Sequence, residues 1–227
     1  PEDLEKFNSL DIFTNERILF KVKKKSTKIP GLKYEPDISK DYGNHEDQPR
    51  RVINCIIPQE ISDNNYNKIK EIIENLSFES GGILEIGVNR NGEKSTTNAL
   101  IKHKKSNFIY LGVDIRDTSF VNDDKNKVYT LIANSFEQEK IRDKLEELGV
   151  ENLVCLLIDG YHSVETVIND WKYTDLLVKG GVIILHDTNS HPGPVTILDA
   201  IDERLFKVEK FFEHDSNDWG LAIITKK

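Results

Sequence analysis

The segment Leu84-Glu85-Ile86-Gly87-Val88-Asn89-Arg90-Asn91-Gly92, which leads into Ser95-Thr96, decides the interpretation of this chain of 227 residues. An apolar run followed by a glycine-containing turn and a helical pattern indicates a strand, a loop and a helix in that order. Gly87 permits a close approach of the backbone to a ligand, and Gly92 relaxes the turn. The same residues also fit a tight strand-to-helix turn that binds nothing.

Four further apolar runs follow the first, with helical patterns between them. We interpret the five runs as strands: Ile83–Gly87, Phe108–Asp114, Val128–Ala133, Leu153–Asp159 and Val182–Asp187. The helical patterns lie near Ser95–Lys102, Phe136–Leu148 and Ser163–Val178, and an earlier amphipathic helix begins near Ser62. Strands that alternate with helices and are apolar on both faces predict a parallel sheet covered on both sides.

The end of the chain predicts an antiparallel addition to this sheet. A helix near Val195–Phe206 precedes two short apolar runs, Val208–Phe212 and Leu221–Thr225, which the polar turn Glu213–Asp218 separates. Two runs this close can form a hairpin. The predicted fold is therefore α/β and Rossmann-like, with a mainly parallel seven-stranded sheet, helices on both faces and an antiparallel C-terminal hairpin.

Residues 1–58 differ from the rest of the chain, because they lack sustained periodicity and carry Pro30, Pro36, Pro49 and Pro58 among charged residues. We expect an N-terminal arm over 1–58, acting as a lid or an oligomer contact, and one ligand-binding domain over 59–227. Homo-oligomers are possible. Cys155 lies in an apolar run, so free thiols are expected for it and Cys55 instead of a disulfide or zinc site.

Composition restricts the partners of the chain. Hydrophobic residues make up 37% and charged residues 31% of it, and no run approaches the roughly 20 apolar residues of a membrane span. We therefore expect a cytoplasmic protein without membrane contacts. The net charge of −8 disfavours nucleic acid, which needs a basic face. The Lys-rich stretch Lys21–Lys28 is the local exception, and a solvated arm explains it.

Ligands of open α/β sheets bind beyond the carboxyl ends of the strands. Asp114 ends the second strand, where a carboxylate can accept hydrogen bonds from both ribose hydroxyls of a nucleoside. Asn134 and Ser135 follow the third strand and can border the adenine, although Ser135 is equally well explained as a helix cap. The first turn lacks Gly-x-Gly-x-x-Gly and carries Glu93, which disfavours a dinucleotide.

The fourth and fifth strands bring two acids and two histidines to neighbouring ends: Asp159, His162, His186 and Asp187. Two converging carboxylates repel each other unless a proton or a cation lies between them. The carboxylate oxygens predict Mg²⁺ as the first candidate metal and Mn²⁺ as the second, whereas the two histidines would also accept a softer metal. The alternatives are a turn at Asp159, a loop cap at Asp187 and ordinary polar roles for both histidines.

In order and spacing, these residues resemble class I S-adenosylmethionine (SAM)-dependent methyltransferases, in particular methyltransferase family 24. The resemblance covers about residues 80–190. It rests on Glu85-Ile86-Gly87-Val88, Asp114, Asp159-Gly160-Tyr161-His162-Ser163 with Asp170-Trp171, and Gly180-Gly181-Val182 leading to His186-Asp187. The chain also resembles the metal-dependent sugar O-methyltransferases of macrolide biosynthesis. His186 stands where those enzymes carry an acid. Related proteins named cephalosporin hydroxylases show that the family alone does not fix the reaction.

The resemblance implies roles for Glu85, Gly87, Asp114, Asp159, His162 and Asp187, and the other candidates follow from their places near the strand ends. Cofactor contacts are expected from Glu85, Gly87, Val88, Asn89, Gly92, Ser95, Asp114, Ile115, Asn134, Ser135 and Asp159. Metal ligands are expected at Asp159, Asp187 and His186, with His162 as the catalytic base. Tyr161, Asn189 and His191 are expected at the substrate, although Asn189 can instead complete the metal shell and His191 can begin the next helix.

The predicted function is SAM-dependent O-methylation of a sugar or other polar small molecule, assisted by Mg²⁺. A metal bound to the acceptor hydroxyl lowers its pKa, and an imidazole can then take the proton. The first alternative is a methyltransferase without a metal, in which the acids bind the substrate directly. The second is a nucleoside-binding module that has no catalytic activity of its own.

Overall fold

The computed structural model describes residues 29–38, 61–88, 94–189, 191–213, 215 and 217–227. Its strands are β1 (Gly81–Ile86), β2 (Phe108–Asp114), β3 (Val128–Ile132), β4 (Leu153–Ile158), β5 (Leu177–His186), β6 (Phe206–Phe211) and β7 (Leu221–Lys226). Its α-helices are α1 (Asp63–Glu74), α2 (Thr96–His103), α3 (Gln138–Glu147), α4 (Val164–Trp171) and α5 (Pro192–Ala200).

The seven strands form one sheet in the order β3-β2-β1-β4-β5-β7-β6. The first five pair in parallel, while β7 runs antiparallel to both β5 and β6. The predicted mainly parallel sheet with an antiparallel C-terminal hairpin is therefore confirmed. Strand order reverses between β1 and β4, and such a reversal opens a crevice at the carboxyl ends of the strands.

Alternate residues of the central strands lie in two buried clusters, one on each face of the sheet. Leu84 and Ile86 of β1 belong to the cluster that α4 covers with Trp171. Ile83 belongs to the other cluster, which α1 covers with Ile69. The period-two alternation of a strand therefore supplies both faces of the core. Cys155 is buried and free, as predicted, whereas Cys55 lies outside the described residues.

The largest differences from the predicted boundaries are at β5 and at the helices before and after it. β5 begins at Leu177 instead of Val182, because Leu177 already pairs with Leu153 of β4, while Gly180-Gly181 lies in an irregularity of the register. The preceding helix consequently ends at Trp171 and continues as a 3-10 turn. The helix predicted near Val195–Phe206 spans Pro192–Ala200, since a proline fits the first helical turn, and Phe206 already begins β6.

Residues 29–38, the described part of the predicted arm, pack against the domain. The indole N–H of Trp171 donates to the carbonyl of Pro30 at 2.8 Å. The amide of Lys33 donates to the carbonyl of Ala200 at 2.7 Å, and Leu32 is buried in the core. The rest of the arm lies outside the described residues. Within the described ranges, no helix is long and apolar enough to cross a membrane.

Candidate functional site

A cleft of about 620 Å³ opens at the carboxyl ends of β1, β2, β4 and β5. It is lined by Ile86, Gly87, Val88, Val113, Asp114, Ile115, Arg116, Ala133, Asn134, Ser135, Phe136, Asp159, Gly160, Tyr161, His162, Thr166, Asp187, His191 and Trp219. Most of the predicted site residues are therefore brought together. Asn89 and Gly92 lie outside the described residues.

Asp114 is held in place by the backbone around it. One carboxylate oxygen accepts from the amide of Val88 at 3.1 Å, and the other accepts from the amide of Arg116 at 2.8 Å. A carboxylate oxygen can accept more than one hydrogen bond, so both oxygens keep capacity for a ligand. The carboxylate is thus oriented before any ligand arrives.

Gly87 closes the gap between the ends of β1 and β4. Its φ is +88°, a conformation that L side chains rarely adopt. A Cβ built there lies 2.3 Å from the carbonyl oxygen of Asp159. The sequence predicted that Gly87 allows a ligand to approach the backbone. The close approach of Asp159, at the end of β4, is a second reason why this position needs glycine.

Glu85 does not reach the cleft, contrary to its predicted role at the cofactor. It is fully buried and accepts hydrogen bonds from the hydroxyls of Tyr110, Thr96 and Thr97. Burial raises the pKa of Glu85 to about 8. The cause of the misplacement is strand alternation, because Glu85 points to the opposite face from its neighbours Leu84 and Ile86.

This burial predicts a pH-dependent stability. The usual pKa of 4.5 rises to about 8 in the folded protein, so between these values the unfolded chain is ionised while the folded carboxyl is neutral. The stabilising contribution is present below about pH 4.5 and is lost as the pH rises to 8. We expect Glu85→Gln to flatten the decline in unfolding free energy from pH 5 to 8, by on the order of a few kcal/mol. Urea unfolding at several pH values measures it.

The matched control is Glu151→Gln, since Glu151 is exposed on a loop. That variant should keep the pH slope of the unmodified protein. Equal slopes for the unmodified protein and Glu85→Gln would show that the buried carboxyl does not govern this titration.

Two carboxylates and two imidazoles interlock at the ends of β4 and β5. Nδ1 of His186 lies 3.0 Å from Oδ1 of Asp159 and 3.3 Å from Oδ1 of Asp187. Nε2 of His162 lies 2.9 Å from Oδ2 of Asp187 and 3.7 Å from Oδ1 of Asp159. All four side chains are largely buried. The convergence of these four residues, predicted from the strand ends, is thus present.

The charges of this cluster balance one another. Burial alone would lower the pKa of His162, but the attraction of the Asp187 and Asp159 carboxylates raises it to about 9. Burial alone would raise the pKa of Asp187, but the two imidazoles hold it well below its usual range. Without a cation the histidines therefore neutralise the acids. A bound divalent cation would take over that role and free an imidazole to accept a proton.

Asp187 also carries backbone strain. Its φ is +60°, which is costly for a residue with a Cβ. Such strain persists where the surroundings enforce it, and it is often found at functional sites. Here the left-handed residue turns the chain at the end of β5 and points its carboxylate at His162.

Among the residues that the structure describes, two overlapping groups of side chains offer metal ligands within 4.8 Å of one another. The first consists of Asp159, His186 and Asp187, which are the predicted ligands. The second consists of His162, Asp187 and His191. The donor set fits a divalent cation, since it combines carboxylate oxygens with imidazole nitrogens.

Three stacked rings, which begin with His162 of the cluster, form a wall of the cleft. His162 stacks on His191 with 4.5 Å between ring centroids, and His191 stacks on Trp219 at 6.4 Å. Trp219 was not predicted. The available signal was an aromatic residue directly after the polar turn between β6 and β7. Arg116, Phe136 and Thr166 also line the cleft and were not predicted.

Asn189 holds this wall in place and does not line the cleft. Its side-chain amide donates to the carbonyls of Phe212 at 2.8 Å and Asp218 at 3.0 Å. Its backbone amide donates to the carbonyl of Trp219 at 2.9 Å. Asn189 was predicted to contact the substrate, but it instead binds and holds the loop that precedes β7.

Two serines have roles that differ from each other. Ser95 does not line the cleft, because it is buried and caps α2 by accepting from the amide of Asn98 at 3.0 Å. Ser135 lines the cleft, and its carbonyl accepts from the hydroxyl of Tyr173 at 2.8 Å. The alternative of Ser135 as a helix cap is wrong, since Glu137 occupies the cap position of α3.

The sheet order and the cleft define the class I methyltransferase fold. The MycE methyltransferase of the mycinamycin biosynthetic pathway, in complex with Mg, S-adenosylhomocysteine (SAH) and mycinamycin VI, matches with a TM-score of 0.53 and 14% identity over 70% of this chain and 48% of that chain. The O-methyltransferase from Bacillus cereus in complex with SAH matches with a TM-score of 0.52 and 14% identity over 76% and 84%.

The chain spans about half the length of MycE. At these identities the likeness establishes the fold. No protein-family model and no curated protein matches the chain. The resemblance to methyltransferase family 24 therefore stays a prediction.

Proposed function

We propose that the protein is a SAM-dependent O-methyltransferase that acts on a hydroxyl of a sugar or another polar small molecule. The observation that carries the proposal is that Asp114 and the Asp159–Asp187 cluster line one cleft, on either side of the strand-order reversal. A nucleoside bound at Asp114 would direct its other end toward the cluster. The similarity to the two solved methyltransferases agrees with this assignment.

The cofactor half of the cleft suits an adenine nucleoside. Asp114 would accept hydrogen bonds from the ribose hydroxyls. Ile115 is 68% exposed and Phe136 is 48% exposed, and both line the cleft. Large apolar side chains left exposed in a concave site mark a surface that a ligand covers. We assign them to the walls of the adenine pocket.

In the acceptor half, a divalent cation would be held by Asp159, His186 and Asp187. Mg²⁺, which the MycE complex contains, is one candidate for this cation. When bound, it would supply Lewis acidity that lowers the pKa of the acceptor hydroxyl. The acceptor oxygen attacks the methyl carbon of SAM while the bond between that carbon and the sulfur breaks. His162 takes the proton of the acceptor hydroxyl. SAH and the methylated acceptor result.

A second candidate is a methyltransferase that needs no metal. It is favoured by the charge balance of the cluster, because His162 and His186 already neutralise both carboxylates. Methyl transfer that persists in the presence of a chelator would select this candidate.

Titration calorimetry with SAH tests the cofactor assignment. We expect SAH to bind and Asp114→Ala to weaken binding by about 100-fold, since each hydrogen bond to a charged group contributes about 1.5–3 kcal/mol. Asp117→Ala is the matched control, because Asp117 is an exposed acid of the same loop that does not line the cleft. Its SAH affinity should stay unchanged.

Labelled SAM offered with a panel of glycosides and polyols then tests the reaction. Transfer of label to a hydroxyl is the expected result. Absence of SAH binding, or equal binding by Asp114→Ala and the unmodified protein, would contradict the proposed function.

A further inference from the structure

The nitrogen donor distinguishes the predicted metal group from an all-oxygen site. Nδ1 of His186 lies between Asp159 and Asp187, and the three ligand atoms are mutually close. Mg²⁺ is held mainly by oxygen ligands and water in near-ideal octahedral geometry. Imidazole suits transition metals, and Mn²⁺ also accepts carboxylates. The donor set thus matches Mn²⁺ better than it matches Mg²⁺.

Asn65 supports His186 from behind. This asparagine of α1 is fully buried, and its side-chain amide lies 3.1 Å from Nε2 of His186, the ring nitrogen that faces away from the carboxylates. Metal-bound histidines almost always donate their other ring N–H to a hydrogen-bond acceptor, which fixes the tautomer. An asparagine amide can present either nitrogen or oxygen in the same place.

The side-chain amide of Asn65 also contains an acceptor, Oδ1, that could face His186. In the arrangement described, its nitrogen faces His186, while its buried Oδ1 has no hydrogen-bond partner in the described structure. A buried acceptor without a partner is costly. Rotation of the amide would let Oδ1 accept the Nε2–H of His186, which leaves the lone pair of Nδ1 for a metal. Asn65 can therefore fix the tautomer of His186 that a metal ligand needs.

We propose that Asn65 and His186 form the nitrogen arm of a metal centre with Asp159 and Asp187, and that this centre prefers Mn²⁺ to Mg²⁺. The inference rests on the proposed function for its role in methyl transfer, but the centre itself is assigned from donor atoms alone. His186 is the ligand. Asn65 is a positioning residue that acts through His186.

The test uses Mn²⁺ and Mg²⁺ on the metal-free protein, with and without SAH. We expect Mn²⁺ to bind about tenfold more tightly than Mg²⁺. Electron spin-echo spectra of bound Mn²⁺ should show coupling to an imidazole nitrogen. His186→Asp should abolish that coupling and remove the preference for Mn²⁺. Asn65→Ala should weaken Mn²⁺ binding about 10- to 100-fold, and Asn65→Gln should restore part of it.

The matched control is His191→Gln, because His191 belongs to the alternative group with His162. Coupling that survives this change supports the proposal. Coupling lost in His191→Gln but kept in His186→Asp, equal affinities for the two metals, or no bound metal would overturn it. SAH binding is measured on the same samples, so failure of the metal centre is distinguished from failure of the cofactor assignment. Unfolding curves identify any variant that does not fold.

Discussion

Replacing His162 with glutamine should lower the turnover number of methyl transfer by about 10²- to 10⁴-fold, the usual contribution of a general base. Glutamine keeps a donor that can reach Asp187, which lies 2.9 Å from the imidazole, but it cannot take a proton. The affinity for SAH should stay unchanged, because Asp114 and the adenine walls lie in the other half of the cleft. Steady-state rates with the acceptor found in the panel measure the first quantity, and calorimetry measures the second.

The matched control is His103→Gln. His103 is the last residue of α2, where it pairs with Glu74, and it does not line the cleft. That variant should keep full turnover. If His162→Gln turned over as fast as the unmodified protein, the proton would have to leave by another route, and the base assignment would fail.

Replacing Gly87 with alanine should destabilise the protein by about 2–5 kcal/mol. A left-handed conformation costs a residue with a Cβ roughly 1–2 kcal/mol, and overpacking adds about 1–3 kcal/mol. Both apply, since φ is +88° and the new methyl meets the carbonyl oxygen of Asp159 at 2.3 Å. Relief of that contact would move the ends of β1 and β4 apart, so SAH binding should weaken as well. Urea unfolding and calorimetry measure the two effects.

Gly149→Ala separates the two causes. Gly149 has a similar φ of +73°, but a Cβ there meets nothing within 4 Å. The Gly149→Ala variant should be destabilised only by the cost of the left-handed conformation, roughly 1–2 kcal/mol. Equal losses at both positions would mean that the contact with Asp159 relaxes without cost.

The sequence was sufficient for features that depend on local pattern. The bounds of β2 were predicted residue for residue, because an apolar run ends there at an acid. The meeting of Asp159 and Asp187 followed from their places at the ends of successive parallel strands, which share one edge of a sheet. The antiparallel hairpin followed from two short runs around a polar turn.

Features that depend on tertiary contacts could not be predicted in this way. Trp219 enters the cleft because β7 lies beside β5 and because Asn189 binds the loop, neither of which is encoded near Trp219. Asn65 lies on α1, 121 positions before the histidine that it supports. Glu85 is an error of another kind. The family resemblance predicted a ligand contact for it, but the alternation of side chains along β1 directs this carboxylate into the core.

The contact between Pro30 and Trp171 affects where the chain can be shortened. Compositional change places a boundary near residue 58, yet a chain starting at residue 59 would deprive the Trp171 indole of its acceptor and uncover the surface under Leu32. Protein engineers who keep only the catalytic region should therefore retain residues 29–38. This short segment works as part of the hydrophobic core, although its sequence resembles a linker.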